Sequence, residues 1–544
     1  MRLSLRPQRQ MMLLVLALQS VMSAAIGAQP PDVVDSDYLM NTAMGSGALA
    51  SLTNGQDNTA AGFSALYNTT SGGVNTAVGS RALPNNVLGS YNAALGAYAL
   101  FSNTTAYGNV AIGAQALYSN TTGASNTGIG FNAMYGTTTG GYNVAVGSEA
   151  LYGNTTGENN VAVGSYALGT NIAGANNSAV GSGALGRNTT GNNNNAAGMG
   201  ALGTNTTGSS NNVFGFNGLF SNTSGTQNSG FGDSVLYSNT IGQKNTASGA
   251  GAMYSNTTGS RNNAAGYQAM YSSTTGDDNN AVGYFAMFSS TTGTLNNAVG
   301  NFALYYNATG SNNNAVGYAA MYRNTTGSNN NAQGFWALSN NTSGMNNIAI
   351  GQRAGINQTT GSNNIYIGHP GAAAESDSVR IGNKNSQVAL YLEPVATVNV
   401  VGGAPVMISA TGQLGVAPSS RRYKESIRPM GNASARLYNL KPVSFRYKLA
   451  DERGRKPLQF GLVAEEVADV YPELVIRNEA GAIEGVRYDE LAPLLVNELR
   501  RQRQAADTQA RELAEVKAQL ARLQAAMERL LAPARTGSPR AQAN

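Results

Sequence analysis

The sequence contains no cysteine and one histidine, His369. Disulfide frameworks and thiolate metal sites are therefore excluded, and one imidazole cannot build a histidine cluster. No metal and no cofactor is expected. Charge is also scarce, at 11% of residues, and it crowds into the last quarter. There the basic residues Arg421, Arg422, Lys424, Arg428 and the arginines after Arg500 are interspersed with Glu465, Glu466, Glu498 and Glu512. A nucleic-acid binder carries a more one-sided stripe, so no nucleic-acid partner is expected. The middle of the chain has too few carboxylates to offer a glycoside-hydrolysing pair. Its glycines are periodic, unlike an isolated phosphate loop.

Long apolar runs are missing as well. The longest, Met11 to Leu18, follows Arg2, Arg6 and Arg9 and precedes the small residues Ala24, Ala25, Gly27 and Ala28. This is the layout of a secretory signal, with cleavage after Ala25 or Ala28. A short membrane anchor is the competing reading, but the run is too short to span a bilayer comfortably. The expectation is a secreted or cell-surface protein with no integral membrane segment in the mature chain.

What the chain does have is regularity. Asn-x-x-x-Gly recurs twenty times at an unbroken spacing of 17 residues, from Asn41–Gly45 to Asn364–Gly368. A fixed short period means stacked coils, each packed on its neighbours. The Asn, Gly, Thr, Ser and Ala composition alone would permit disorder, but disorder needs no register. Aligned on the asparagine, the unit reads N-x-A-V-G-x-x-A-L-Y-x-N-T-T-G-x-x. Its ninth position is Leu or Met in the first eighteen copies, as at Leu49, Leu66, Met134 and Leu338, and becomes Gly355 and Ala372 in the last two. Tyr or Phe often follows, as at Tyr118, Tyr152 and Phe220.

The N-x-A-V-G stretch alternates like a short strand. Its glycine suits a backbone position that a side chain would strain. N-T-T-G has turn chemistry, with the glycine accepting positive φ. The opening asparagines can form an amide ladder up the stack. Each coil thus supplies one or two strands, two turns and one Leu or Met plug. One such plug contributes about 1.5–3 kcal/mol, against about 1–2 kcal/mol per residue for ordering the backbone. Sister chains that cover the remaining Ala, Val and Tyr would close this gap, which points to an elongated oligomer, a trimer. Asn-x-Thr sequons such as Asn103 and Asn154 recur in the array; glycosylation is one reading, turn chemistry the other.

The N-T-A-V-G-S motif, as in Asn75–Ser80, resembles the head repeats of trimeric autotransporter adhesins of the YadA type over about 330 residues. The resemblance implies a left-handed parallel β-roll in a homotrimer. The adhesin unit is usually shorter, and N-T-T-G here lengthens one loop.

After Gly368 the period breaks. Val379, Ile381, Val388, Leu390, Leu392, Val398, Val400, Val406 and Ile408 alternate with polar residues, and Gly402-Gly403 and Thr411-Gly412 read as turns. These predict a short β-stalk. An α+β sequence follows, with landmarks in order: S-x-x-R-x-K from Ser419, L-x-P-V-x-F-x-Y from Leu440, G-L-V-A-E-E-V from Gly461, Y-P-E-L-V from Tyr471 and Y-D-E-L from Tyr488. This block resembles the carboxy-terminal intramolecular chaperone of phage endosialidases and tail fibres. The resemblance implies a module that trimerises, directs folding of the upstream fibre and cuts itself off with a Ser-Lys dyad. Carried onto this chain, Ser419 and Lys424 are the catalytic pair and Pro418–Ser419 is the scissile bond. A serine hydroxyl needs a base, and a lysine can serve once burial lowers its pKa. The family often has Asp after the serine where this chain has Ser420. Glu465 and Glu466 could orient the lysine or form a solvated helix face.

The last helix carries Leu495, Leu499, Gln502, Ala506, Gln509, Leu513, Val516, Leu520, Leu523, Met527 and Leu530 at alternating spacings of three and four. This is the seam of a coiled coil; a helix packed on its own domain is the alternative. Pro533, Gly537 and Pro539 end it.

The expected fold is mainly β. It comprises a signal peptide (1–28), a linker (29–40), a β-roll solenoid of 17-residue coils (41–377), a β-stalk (378–418), a small α+β chaperone domain (419–490), a coiled coil (491–532) and a disordered tail (533–544). The expected function is a secreted, trimeric, adhesin-like fibre that matures by self-cleavage, with a glycan or protein on a host cell or surface as possible ligand. A phage-derived receptor-binding fibre and a non-cleaving structural fibre are the alternatives. Any enzyme activity would be an intramolecular serine autopeptidase without an external substrate.

Overall fold

The 17-residue repeat folds because each coil places the same polar and apolar atoms one strand spacing above those of the coil before it. The computed structural model describes residues 35–383, 405–409, 412–450, 454–478 and 480–531. The signal segment, most of the stalk strands and the tail beyond Leu531 lie outside them. Two compact units are present, one ending at Glu393 and one beginning at Pro394.

In the first unit each coil contributes one three-residue strand, from β2 (Thr42–Met44) to β21 (Ile365–Ile367). Consecutive strands pair in parallel and in register, as Thr76–Val78 does with Ala93–Leu95. A last rung, β22 (Val379–Ile381), pairs in parallel with β21. This strand, expected to open the stalk, closes the solenoid instead. At the other end β1 (Asp35–Ser36) pairs antiparallel with β2.

The strand alternation predicted from sequence is present: the third position of each coil is buried and the fourth faces outward. The Leu or Met at position nine is fully buried from Leu66 to Leu338, and the alanines at positions three and eight pack around it in one continuous core. Both asparagines of the unit also point inward. Asn58 Nδ2 donates to Asn41 Oδ1 at 3.0 Å and to Gly72 O at 3.0 Å, and Asn58 N donates to the same Asn41 Oδ1 at 2.9 Å. Backbone and amide bonds of this kind repeat coil after coil to Asn364, so the amide ladder read from the sequence is built. A second ladder runs through the asparagine of N-T-T-G, as from Asn103 to Asn86 at 2.9 Å and Asn188 to Asn171 at 2.8 Å. Burial of these amides costs little because they are hydrogen-bonded. It also removes Asn103 and Asn154 from solvent, which argues against their glycosylation in the folded coil.

The fifth-position glycine behaves as its placement predicts. At Gly79 φ is +132°, and a β-carbon would lie 2.7 Å from the carbonyl carbon of Gly96. The N-T-T-G glycine does not: none of these glycines has positive φ. Gly157 is required for space, because a β-carbon there would lie 2.4 Å from both Asn154 Oδ1 and Gly174 O. The left-handed backbone falls on the plug residues, with φ of +54° at Leu66 and +51° at Leu151. A bulky residue in that conformation costs about 1–3 kcal/mol. Its buried side chain and the Leu151 N–H bond to Ala167 O, 2.9 Å long, offset this.

The second unit begins with the hairpin β23–β24 (Met407–Ile408 and Leu414–Gly415). Two more antiparallel pairs follow, β25–β26 (Val443–Phe445 and Gln459–Gly461) and β27–β28 (Val475–Arg477 and Ile483–Val486). Helix α1 (Ala464–Val470) and helix α2 (Tyr488–Leu531) complete it. Val467, Tyr471, Leu474, Val475 and Leu494 form its small core. Among the described residues no helix is long and apolar enough to cross a membrane.

Candidate functional site

The serine and lysine singled out by sequence are brought together by one short turn. Arg421–Tyr423 form a single turn of 3-10 helix, with Ser420 extended before it and Lys424 extended after it. Hydrogen bonds from Tyr423 N to Ser420 O (3.0 Å) and Lys424 N to Arg421 O (3.1 Å) hold the turn. Lys424 Nζ then lies 3.3 Å from Ser419 Oγ and donates to it. The distance is just beyond the usual reach of a working nucleophile–base pair. Ser419, Lys424 and Pro418 are all exposed within one chain. A lysine base needs desolvation, and Lys424 is exposed in the single chain.

Glu465 and Glu466 occupy the first turn of α1 and are exposed. Among the described residues neither bonds to Lys424. Their position at the helix N-terminus favours negative charge, so the solvated-face reading holds. Gly461, which opens the same motif, has a role that spacing does not reveal. A β-carbon on it would meet Tyr488 Oη at 2.6 Å, and that hydroxyl accepts a 2.7 Å bond from Leu462 N–H. The G-L-V and Y-D-E-L landmarks thus touch each other.

A buried carboxylate was not legible in the sequence. Glu498 on α2 accepts from Ser434 Oγ (2.9 Å) and Arg501 Nη1 (2.8 Å), and Asn497 Nδ2 donates to Ser434 Oγ (2.7 Å). Glu498 directly precedes the seam residue Leu499, and nothing in its neighbours along the chain marks it as buried. Nearby, the Arg436 guanidinium lies 4.4 Å over the Tyr471 ring and bonds Glu473 Oε1 at 3.0 Å. These contacts clamp the Y-P-E-L-V segment to the turn at Gly431–Asn439.

Beyond Gln502 the seam of α2 is left open among the described residues. Leu513, Val516, Leu520, Leu523 and Met527 are all exposed. His369, the lone histidine, sits in the turn that follows β21. Its Nδ1 accepts the Gly371 N–H at 2.8 Å, and burial, with Arg380 nearby, pushes the imidazole below its ordinary value.

The family described as chaperone of endosialidase matches residues 419–476. No curated protein and no solved structure matches the chain. The matched segment opens at Ser419 and runs through β25, β26 and α1 to the start of β27. A long parallel β-solenoid followed by a module similar to this family fits the architecture of a tail-fibre-like protein.

Proposed function

We propose that the chain is one strand of a secreted or cell-surface homotrimeric fibre. Its solenoid serves as the shaft and, as in YadA-type heads, as a surface for adhesion. Its terminal module brings three chains together and then separates itself at Pro418–Ser419. The observation that carries this reading is the set of apolar surfaces left open in a single chain. Parallel sheets are ordinarily covered on both faces. Here the outward fourth-position column, including Val78, Leu95, Ile112, Val163 and Ile350, is exposed. Phe460 and Leu449 of the terminal unit are 80% and 85% exposed, and the α2 seam is bare. Sister chains laid side by side would cover all three.

The same association supplies what the dyad lacks. Burial of the Ser419–Lys424 turn against a neighbouring chain would favour the neutral amine that can accept the serine proton. Ser419 Oγ would then attack the Pro418 carbonyl carbon, with Lys424 Nζ taking the hydroxyl proton and returning it to the Ser419 nitrogen as the peptide bond breaks. Water would release the resulting ester. Cleavage in this scheme follows assembly, so the chaperone leaves only a fibre that has already folded.

The test is expression of residues 29–544 beside Ser419→Ala and Lys424→Ala variants, with denaturing gels, intact mass and light scattering. The expected result is a wild-type trimer that splits at Pro418–Ser419 and two variants that assemble but stay whole. A wild type that assembles and stays whole would leave a non-cleaving fibre, a reading the exposure of both dyad residues favours. A stable, solitary wild-type molecule would overturn the proposal.

A further inference from the structure

Rings on one edge of the solenoid stack in columns, because equivalent positions of successive coils lie one strand spacing apart. The tenth-position column is unbroken over seven coils, from Phe220 to Tyr322, with ring centroids 5.0 to 5.6 Å apart. It stops at Ser339. The neighbouring seventh-position column carries Phe285, Phe302 and Trp336, but the coil between the last two has Ala319. Two adjacent columns therefore lose a ring within one coil of each other. The result is a recess of about 370 Å³ walled by Phe302, Tyr318, Tyr322 and Trp336. Its size lies within the range of about 300–1,000 Å³ usual for small-molecule sites.

The polar groups at this recess are distinctive. Arg323, Ser339 and Asn340 line it. The Asn340 amide nitrogen is engaged with Ile356 O at 2.9 Å, which leaves its oxygen as an acceptor. The Arg353 guanidinium lies 5.6 Å from the centre of the Trp336 ring. Residues 279–374 contain these two arginines and no Asp or Glu, so the recess is positively charged without a counter-ion from its own coils. Ring faces offer an apolar platform, and hydroxyl, amide and guanidinium groups offer hydrogen bonds at its margin. A pyranose has the matching surface, with an apolar C–H face and a rim of hydroxyls. A carboxylate on that sugar would meet the guanidinium in a charge-assisted pair.

We infer that the recess at Ala319 is a binding site for an acidic saccharide, one sugar ring occupying the space of the missing aromatic ring, with Arg323 as partner of its carboxylate. The inference uses the solenoid alone and does not depend on cleavage; it requires that sister chains cover the fourth-position column and leave this ring edge open. Trp336 is the single tryptophan of the chain, so its fluorescence reports on this recess and no other place.

The experiment titrates the full chain with tetragalacturonate and, separately, with maltotetraose, following Trp336 emission. A saturable change with tetragalacturonate is expected, stronger than with the neutral sugar. Ala319→Phe restores the column in a backbone conformation that Phe302 already adopts (φ +51° and +60°). It should abolish the change while thermal unfolding stays as in wild type. Arg323→Gln should weaken tetragalacturonate about tenfold, one charge-assisted bond, and leave maltotetraose unaffected. No saturable change at millimolar sugar, or full affinity in Ala319→Phe, would overturn the site. Equal binding of both sugars in wild type and Arg323→Gln would overturn its acidic specificity.

Discussion

The ring of Tyr366 occupies the place that Gly355 leaves empty. Gly355 stands where eighteen earlier coils have Leu or Met, and a β-carbon on it would come 2.8 Å from Tyr366 Cδ2. Tyr366 replaces the third-position alanine, is fully buried, and donates its hydroxyl to Gln358 Oε1 at 3.1 Å. Burial and the Glu375 carboxylate push this phenol well above its ordinary value, so it stays a neutral donor. One large ring thus closes the end of a core otherwise built from alanine, leucine, methionine and valine.

Tyr366→Ala should therefore open the last coils, at about 3–5 kcal/mol for a buried aromatic. Gly355→Leu alone should also destabilise, since the side chain meets the ring. Together they should cost less than their sum, because leucine refills the space. Hydrogen exchange of residues 347–383 in the two single variants and the double variant measures this coupling. Strict additivity would contradict it.

The second amide ladder is broken where Thr137 replaces asparagine. Asn120 Oδ1 and Thr137 Oγ1 are both buried without a protein partner. The same pattern recurs at Asn256 and Ser273, and Asn341 Oδ1 is likewise without a protein partner where Gln358 follows one coil on. Thr137→Asn should join Asn120 to Asn154 and stabilise the solenoid by about 1–3 kcal/mol, the usual penalty of an unsatisfied buried group. The check is a higher denaturation midpoint, with Asn188→Thr shifting it the opposite way.

The first ladder ends on Asp37. Its carboxylate accepts from Asn41 Nδ2 at 2.9 Å, from Asn41 N at 2.9 Å and from Leu39 N at 2.9 Å. The Asn41 side chain and backbone bonds hold the carboxyl below its usual value. A lowered folded pKa means the stabilisation is complete above the ordinary aspartate value of about 3.9 and is lost as pH falls through the lower folded value. Protection of Thr42–Met44, corrected for intrinsic exchange, should be constant near neutrality and fall only in that acid window. Asp37→Ala should fray this strand at every pH.

The seam of α2 offers a test of assembly separate from folding. Leu513 and Leu520 are each 54% exposed in one chain. Leu513→Glu with Leu520→Glu should leave the secondary structure of a single chain intact and lower the mass seen in sedimentation. Unchanged mass would remove the helix from the interface.

Much of this was legible because a repeat writes each contact many times. The 17-residue period, the inward Leu49-to-Leu338 series, the strand and the opening amide ladder all follow from residues that meet copies of themselves one coil away. The left-handed backbone at Leu66 and its equivalents was not legible. Leucine does not favour that conformation, and only the hydrogen bond to the next coil and the depth of the core make it affordable. The spatial need for the N-T-T-G glycine was likewise hidden, since its obstacle is the carbonyl of the glycine 17 residues on. In the terminal unit the order of motifs pointed to Ser419 and Lys424, and the 3-10 turn brings them within 3.3 Å. Glu498, whose burial depends on Ser434 64 positions away, left no local trace.

The sequence by itself determined the stack, because periodic side chains dictate what lies above and below each coil. Only the tertiary structure decided how the stack ends and where its surface opens. At an end the repeating partner is missing, so single residues such as Asp37 and Tyr366 must take its place. At Ala319 and Ser339 the loss of two rings from neighbouring columns becomes one recess only when the coils are folded side by side.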